Sequence, residues 1–346
     1  MKQFLIVLLL VILAACKGTP GNNNEQEEQD GTSLTDEELA EFIPQPSGDL
    51  PVTSFPEVWA YVVAGQEANI RRGLPITDIG YFGAEIDMYG NLSKVPSRRD
   101  IPNFNGRVHL TVTCFNYALS YFILLPDSPQ RLSLISQLIA AARDFDGLNI
   151  DFENIPPRSG DDFISFLRDL KNGLSEEKTF SVCLYARTRK LSNDVYDYER
   201  IKPFVDKIFV MAYDEHWGGG PAGPVASIRF SRSVAEYSLR SIGNEKLVMG
   251  IPFYGRAWAN ANHHRALIYT TTQRLINTHN VREVRRENGI PTFDYNVNIS
   301  VKVYFEDEYS ISARMQMFKS MGINAIGFWR FGQEAPRVWN ILRIGD

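Results

Sequence analysis

Residues 145–153 read FDGLNIDFE, and this short segment decides the fold. Alternate side chains of a β-strand point to opposite faces, so Leu148, Ile150 and Phe152 share an apolar face while Asp151 and Glu153 point the other way. Burying an unpaired carboxylate is costly, so two acids within a core strand are unfavourable unless they serve a function. The pattern predicts a strand with one face packed in the core and the other lining a functional site.

Seven further apolar runs of similar length flank this segment, and helical patterns separate several of them. The eight predicted strands are 58–63, 78–84, 108–115, 147–152, 180–185, 207–212, 246–251 and 325–329. Helices are predicted after Asp127 or Ser128 with Pro129 in the first turn, from Asp161, and over 311–321 before Gly322. Strands alternating with helices over about 290 residues predict an α/β fold of the (β/α)8 TIM-barrel type.

A doubly wound sheet is the rival architecture. Ala64-Gly65-Gln66 follows the first strand, in place of the Gly-rich phosphate-binding fingerprint of that fold. The longest connection, about 259–309, lies between strands seven and eight and is predicted to be a small α+β insertion. Within it, Arg282, Arg285 and Arg286 are interpreted as a basic helix face.

The N-terminus has the composition of an export signal. Residues 1–15 contain one lysine and then an apolar run shorter than the roughly 20 residues that span a bilayer. The run ends at Leu13-Ala14-Ala15-Cys16, which resembles the lipobox of bacterial lipoproteins and implies a lipid on Cys16; an ordinary secretory signal with an incidental cysteine is the alternative. We therefore expect an exported protein anchored in the bacterial cell envelope, in the outer membrane where one exists, since Lys17 is not the inner-membrane retention Asp.

The segment after Cys16 is strongly acidic. Between residues 17 and 51 there are nine Asp or Glu residues and one lysine, with few apolar side chains. Such a composition predicts a disordered tether over 16–51, with at most an amphipathic turn or two within 34–42, followed by the barrel domain over 52–346. The whole chain carries a formal charge of −5, with a pI near 5.7, which argues against nucleic acid as a partner.

Besides Cys16, the chain contains Cys114 and Cys183. The predicted strands place them two strands apart, about 9.6 Å at the usual strand spacing, which exceeds the reach of a disulfide. Both are therefore predicted to be buried free thiols.

The segment 145–153 resembles the D-G-x-D-x-D-x-E signature of glycoside hydrolase family 18, the chitinase-like hydrolases. Asp146, Gly147, Asp151 and Glu153 match the signature, and Asn149 departs from it. The resemblance implies that Glu153 is the general acid and that Asp151 orients the substrate's 2-acetamido group. That group would be the nucleophile, forming an oxazolinium intermediate in place of an enzyme-bound one.

Three further motifs resemble the same family, in its order along the barrel. MGIPFYGRAW (249–258) is similar to a motif of the family as a whole, whereas FVMAYDEHWGGG (209–220) and GFWRFGQEAPRVW (327–339) are similar to the branch that cuts spore-cortex peptidoglycan. The resemblance implies that Tyr213 is catalytic and that Trp329 is a platform for the sugar. It implies substrate binding by Asn149, Met211, Asp214, Tyr254 and Trp329.

The sequence therefore predicts a retaining glycoside hydrolase that cleaves β-linked N-acetylglucosamine glycans, of peptidoglycan type or, alternatively, chitooligosaccharides. We expect no cofactor, no metal and a monomer. A non-catalytic, lectin-like glycan-binding protein on the same barrel is the alternative, although such proteins typically lose the acid that Glu153 supplies. A lipoprotein that scaffolds envelope partners is a third possibility.

Overall fold

The computed structural model describes residues 35–44, 48–260, 263–297 and 299–345. Its strands, in chain order, are β1 (Thr53–Phe55), β2 (Glu57–Val63), β3 (Asp78–Ile86), β4 (Leu92–Ser93), β5 (Arg107–Cys114), β6 (Gly147–Phe152), β7 (Thr179–Tyr185), β8 (Lys207–Met211), β9 (Leu247–Pro252), β10 (Gly255–Asn260), β11 (His263–Leu267), β12 (Arg285–Glu287), β13 (Ile290–Asn296), β14 (Ser300–Tyr304), β15 (Ala325–Trp329) and β16 (Leu342–Ile344). The α-helices are α1 (Asp36–Ala40), α2 (Tyr117–Leu124), α3 (Pro129–Ala142), α4 (Gly160–Gly173), α5 (Tyr198–Ile201), α6 (Ile228–Ser241), α7 (Tyr269–Thr278) and α8 (Glu308–Ser320).

Eight parallel strands close into a barrel. Their order is β2-β15-β9-β8-β7-β6-β5-β3, and pairing of β2 with β3 completes the ring. These are the eight strands predicted from the sequence, with ends shifted by at most a few residues, so the predicted (β/α)8 fold is confirmed.

The helices of the outer ring follow the predicted patterns. Ser128 caps α3 through a hydrogen bond from Arg131 N, with Pro129 in the first turn. The ring is incomplete, however, because the connections 64–77 and 87–106 contain no α-helix where a barrel of this type has one. The first has a single 3-10 turn, and the second has a 3-10 turn and the short strand β4, which pairs with β3.

The insertion between β9 and β15 is a five-stranded antiparallel sheet in the order β11-β10-β14-β13-β12, together with α7. It begins at Gly255, four residues before the predicted start. The expected basic helix face is wrong: Arg285 and Arg286 lie on β12, which pairs with β13. The hairpin turns at Asn288 and Gly289, both with positive φ, and an Asn-Gly pair favours this tight turn over a helix.

Part of the segment expected to be disordered is ordered. Helix α1 carries a capping box between Thr35 and Glu38, and Leu39 is buried against the core. Ile43 lies against the hairpin at Gly289. This finding differs from the disorder expected for these residues, although it agrees with the short amphipathic turn allowed within 34–42.

The predicted signal peptide (1–15), the predicted lipid attachment site Cys16 and the predicted tether before Thr35 lie outside the described residues. In the part of the chain that the structure describes, no helix has the length and apolar character needed to cross a bilayer.

The predicted alternation of β6 is confirmed. Leu148, Ile150 and Phe152 belong to the apolar layer between barrel and helices, and all are at most 1% exposed. Gly147 faces inward at the bottom of the barrel, where a Cβ would lie 2.2 Å from His109 Nδ1 and 2.4 Å from the Thr179 carbonyl oxygen. Only glycine fits there, which explains the glycine of the Asp-Gly pair.

Both Cys114 and Cys183 are free and buried, as predicted. Cys183 faces the barrel interior and Cys114 faces the outer layer, where its Sγ lies 3.3 Å from Ser120 Oγ.

An ionic cluster closes the bottom of the barrel around Asp78, which is fully buried. Its Oδ1 contacts Arg107 Nε and His109 Nε2, both at 2.7 Å, and Oδ2 accepts from Arg107 Nη2 at 2.9 Å. Burial alone would raise the pKa of Asp78, but the hydrogen bonds from His109 and Arg107 outweigh it, and the pKa is lowered. The ionised form of Asp78 therefore stabilises the barrel.

We expect Asp78→Asn to lower the free energy of unfolding by ~2 kcal/mol at pH 7, because an amide replaces the buried carboxylate that accepts hydrogen bonds from Arg107 and His109. Since the folded-state pKa of Asp78 is lowered, its stabilisation is complete above the unfolded pKa of about 3.9 and is lost as pH falls through the folded value. Urea unfolding of both proteins at pH 7 and pH 3 should therefore show a difference that shrinks at pH 3.

Glu85→Gln is the matched control, because Glu85 pairs with Lys94 on the surface, where both side chains are about half exposed or more. Its effect should stay within about 0.5 kcal/mol. An equal loss for both variants would contradict the role given to Asp78.

Candidate active site

The carboxyl ends of the barrel strands surround a cleft of about 730 Å³. This is the end at which barrels of this type carry their functional groups. Seven of the eight predicted catalytic and substrate-binding residues line the cleft: Asp151, Glu153, Met211, Tyr213, Asp214, Tyr254 and Trp329.

Asp151 and Glu153 project into the cleft from the end of β6. The amide of Glu153 donates to the Cys114 carbonyl oxygen at 2.8 Å, which fixes the backbone just past the strand. Burial and the nearby charge of Glu153 raise the pKa of Asp151 well above its usual range. Burial also raises the pKa of Glu153. Ionising both groups is therefore unfavourable, and the pair retains a proton at pH values where exposed carboxyls have lost theirs.

One oxygen of this pair has no hydrogen-bond partner. Asp151 Oδ1 is buried and accepts no hydrogen bond from any residue in the described ranges. A buried carboxylate oxygen without a donor is unfavourable in the free protein. It is an acceptor available to a donor brought in by a ligand.

Asn149 is the exception among the predicted substrate-binding residues. It is fully buried in the layer below Asp151 and does not line the cleft. Its Oδ1 accepts from Tyr61 Oη at 3.1 Å and from Cys183 Sγ at 3.3 Å, while its Nδ2 donates to Ser181 Oγ at 2.9 Å. Direct binding of substrate by Asn149 is therefore wrong in this structure, because the side chain lies one layer too deep.

The wall formed after β8 and β9 is built around Asp214. Its Oδ1 accepts from Tyr254 Oη at 2.6 Å and from Arg256 Nη2 at 2.9 Å. Tyr213 packs edge-to-face against Tyr254, with 6.1 Å between ring centroids. Arg256 lies on β10, a strand of the insertion, so the insertion contributes directly to the cleft.

Trp329 lies at the end of β15 and forms an aromatic wall. Its ring makes a T-shaped contact with Phe82 at 5.0 Å and a tilted contact with Tyr61 at 5.5 Å. An indole ring fixed by two neighbours offers a rigid apolar surface beside the carboxyl pair.

Several residues at the cleft were not predicted. The nearest to the carboxyl pair is Tyr185, whose hydroxyl donates to Glu153 Oε2 at 2.6 Å and opposes the rise in the pKa of Glu153. Tyr185 is the last inward-facing residue of β7, so the rule that singled out Glu153 on β6 could have found it. Other unpredicted lining residues include Tyr61, Phe82, Phe115, Tyr117, Arg187, Asp194, Tyr196, Trp217, Arg256 and His264.

The arrangement combines two buried carboxyls with raised pKa values, hydroxyl donors and a flat aromatic surface in one cleft. Such a set can protonate a leaving oxygen while an apolar ring face holds the substrate. Within the described ranges, no group of three His, Cys, Asp or Glu side chains is placed to hold a metal ion.

Comparison with known proteins identifies relatives of this chain. It is 29% identical over 222 residues to the uncharacterized glycosylase YvbX of Bacillus subtilis, a match that covers 60% of this chain and 64% of YvbX. It is 24% identical over 290 residues to the cortical fragment-lytic enzyme of Bacillus anthracis, covering 77% and 67% of the two chains. The chain thus spans less than two thirds of the length of YvbX.

Among solved structures, the spore cortex-lytic enzyme SleL of Bacillus cereus has the same fold, with a TM-score of 0.74 and 24% identity over 87% of this chain and 76% of that one. The family model described as glycosyl hydrolases family 18 matches residues 76–334, which include the carboxyl pair, the Asp214 wall and Trp329. The chain belongs to glycosyl hydrolases family 18.

Proposed function

We propose that this protein is a retaining glycoside hydrolase that cleaves β-linked N-acetylglucosamine glycans with the help of the substrate's own acetamido group. The observation that carries the proposal is the buried Asp151–Glu153 pair, in which burial raises both pKa values and one buried carboxylate oxygen has no donor. An acetamido N–H is a donor of the right kind for Asp151 Oδ1.

The first step needs the proton on Glu153 and the charge on Asp151. In the free protein, burial disfavours charge on Asp151. A substrate N–H that donates to Asp151 favours its ionised form, so substrate binding moves the shared proton to Glu153. Glu153 then protonates the glycosidic oxygen as the bond from C1 to that oxygen breaks.

The acetamido carbonyl oxygen forms the new bond to C1, which gives a positively charged oxazolinium ion. The Asp151 carboxylate stabilises that charge, and the Tyr213 hydroxyl donates a hydrogen bond to the acetamido oxygen. In the second step, the Glu153 carboxylate takes a proton from water, the water oxygen bonds to C1, and the bond from C1 to the acetamido oxygen breaks. Two displacements at C1 retain its configuration.

The position of the two acids supports a nucleophile from the substrate. In double-displacement glycosidases, two carboxylates flank the scissile bond from opposite sides. Asp151 and Glu153 are two residues apart on one strand face, about 6.5–7 Å between Cα atoms, so both approach the sugar from the same side. An enzyme carboxylate on the opposite side of the sugar is not available from this pair.

We further propose that the glycan is of peptidoglycan type. Similarity to a cortical fragment-lytic enzyme supports this choice over chitooligosaccharides. The expected export signal and the lipobox-like Leu13–Cys16 support it as well, because they would place a monomeric enzyme at the envelope, where such glycans occur.

The anchoring proposal predicts that the full chain, expressed in a bacterium, sediments with membranes and is released by detergent. Cys16→Ala should lose lipid labelling and leave the membrane fraction, whereas Cys114→Ala should behave as the wild type. Membrane attachment without lipid on Cys16 would contradict the proposal.

For Glu153→Gln, we expect kcat for glycan hydrolysis to fall by about 10²–10⁴-fold, the usual contribution of a general acid. The measurement is release of reducing N-acetylglucosamine ends from purified peptidoglycan and from chitooligosaccharides. Glu199→Gln is the control, because Glu199 is exposed and pairs with Lys190. Full activity of Glu153→Gln would remove Glu153 from the mechanism, and a wild type that binds glycan without turnover would favour a lectin-like protein.

Tyr185 acts as a positioning residue for Glu153. Its hydroxyl occupies Oε2, so the transferable proton must sit on Oε1. Removing this donor in Tyr185→Phe should raise the pKa of Glu153 further. Because the general acid is active below its pKa, the basic limb of the kcat/KM profile should move to higher pH.

Tyr196→Phe is the matched control for Tyr185→Phe. The Tyr196 ring packs against Tyr185 at 4.9 Å, but its hydroxyl accepts from the Ile155 amide and does not contact Glu153. Its basic limb should stay at the wild-type position. If the basic limb of the kcat/KM profile lies at the same pH in Tyr185→Phe and wild type, the Tyr185 hydroxyl does not set the pKa of Glu153.

A further inference from the structure

The connection that follows Asp214, residues 215–227, is a loop closed at its base, and we call it the β8–α6 loop. The Glu215 amide donates to the Val225 carbonyl oxygen at 2.9 Å. The Glu215 side chain spans the same base: Oε2 accepts from the Ser227 amide at 2.6 Å, and Oε1 accepts from Ser227 Oγ at 3.0 Å. One carboxylate therefore joins the first and last residues of the loop.

Glu215 lines the cleft, but its contacts argue against a role in proton transfer. Both of its carboxylate oxygens already accept hydrogen bonds from Ser227. Ser227 is also the N-cap of α6, so the Glu215 carboxylate lies at the N-terminus of a 14-residue helix. A negative charge is favourable at that end of a helix. The position of Glu215 is therefore suited to holding the loop.

The Ser227 end of the loop is fixed to the rest of the barrel. The Ala226 carbonyl oxygen accepts from Arg314 Nη2 at 2.6 Å, and Arg314 is fully buried in an ion pair with Glu306. Through Ser227, Glu215 attaches the other end of the loop to this fixed point.

The β8–α6 loop carries an aromatic side chain of the cleft wall. Trp217 lines the cleft and is followed by three glycines, 218–220. A Cβ on Gly219 would lie 2.1 Å from Trp217 Cζ3, so the indole ring lies directly over the backbone of the loop. The Trp217 carbonyl oxygen accepts from Trp258 Nε1 of the insertion at 3.4 Å, a long hydrogen bond. Three consecutive glycines leave the backbone of this tip many conformations, so the contacts at the base of the loop matter for where Trp217 lies.

We propose that Glu215 is a positioning residue: it closes the base of the β8–α6 loop and thereby holds Trp217 in the cleft wall before substrate binds. The inference rests on the proposed function and adds a binding determinant to it. If the loop occupies the cleft-lining conformation only part of the time, the apparent affinity for substrate falls by that fraction.

The chemical step does not depend on Glu215. The Asp151–Glu153 pair lies at the end of β6, and Asp214 keeps its hydrogen bonds from Tyr254 and Arg256 when residue 215 changes. Loss of the Glu215 side chain should therefore raise KM and leave kcat nearly unchanged. Loss of a group that transfers a proton would lower kcat instead.

The test measures kcat and KM of Glu215→Ala and Glu215→Gln on soluble peptidoglycan fragments and on chitooligosaccharides. For Glu215→Ala we expect KM to rise about tenfold, with kcat within about twofold of wild type. A glutamine can accept from the Ser227 amide and donate to Ser227 Oγ, so Glu215→Gln should recover most of the affinity.

Glu236→Ala is the matched control, because Glu236 lies on α6 and pairs with Arg232 outside the β8–α6 loop. Its KM should equal that of the wild type. Glu215→Ala keeps the bond from the residue 215 amide to Val225 and the contact of His216 Nδ1 with the Pro224 carbonyl oxygen at 2.9 Å, so the loop should stay attached.

Hydrogen exchange of the free proteins gives a second measurement that does not depend on activity. The Ser227 amide donates to Glu215, so its exchange should become about tenfold faster in Glu215→Ala and remain at the wild-type rate in Glu236→Ala. Together with the rise in KM, this result would show that a looser loop base weakens substrate binding.

Two results overturn the inference. An equal fall in kcat in Glu215→Ala and Glu215→Gln would make Glu215 a catalytic group, and an unchanged KM in Glu215→Ala would limit it to a structural role. If the wild type binds glycan without hydrolysing it, the proposed function is overturned, and Kd for the same glycans takes the place of KM in this comparison. A wild type that neither hydrolyses nor binds these glycans overturns both.

Discussion

Two carboxyl groups two residues apart on a buried strand cannot both be charged without a large electrostatic cost. In this barrel, Asp151 and Glu153 stand in that relation, and burial raises the pKa of each. This cost favours a proton on the pair at pH values where exposed carboxyls have lost theirs. Asp151 Oδ1 also lacks a donor, and in the proposed mechanism a substrate amide that donates to it moves the proton to Glu153.

The side chains inside the barrel form layers, and the layer directly below the Asp151–Glu153 pair is uncharged. At the bottom, Asp78 pairs with Arg107 and forms a hydrogen bond with His109. Above it, the Asn149 amide is satisfied by Tyr61, Cys183 and Ser181, so no charge lies directly beneath Asp151. Because Gly147 has no side chain, the His109 ring can lie directly against β6 in the bottom layer. The charge that influences Asp151 is therefore chiefly that of Glu153.

The sequence predicted what depends on periodicity. Alternation in 145–153 indicated the inward face of β6, and eight apolar runs indicated the barrel. Alternation does not show how far below the barrel rim an inward-facing residue lies. The sequence therefore predicts Asn149 in the cleft, whereas it lies one layer below. Alternation also does not predict hydrogen bonds between residues that are distant in sequence, such as Tyr185 and Glu153, which are 32 residues apart. The Asn288-Gly289 pair is typical of a tight hairpin turn, whereas the spacing of Arg282, Arg285 and Arg286 is compatible with a helix face. The two patterns predict different structures for the same segment, and the turn is the one that forms.

The central claim is that the substrate's acetamido group, poised by Asp151, is the nucleophile. The most direct measurement is kcat for a series of aryl N-acetylglucosaminides in which the acetamido methyl carries zero to three fluorine atoms. Fluorine weakens the carbonyl oxygen as a nucleophile without removing the N–H donor. The account predicts a steep fall in kcat along the series, and a flat series would contradict it.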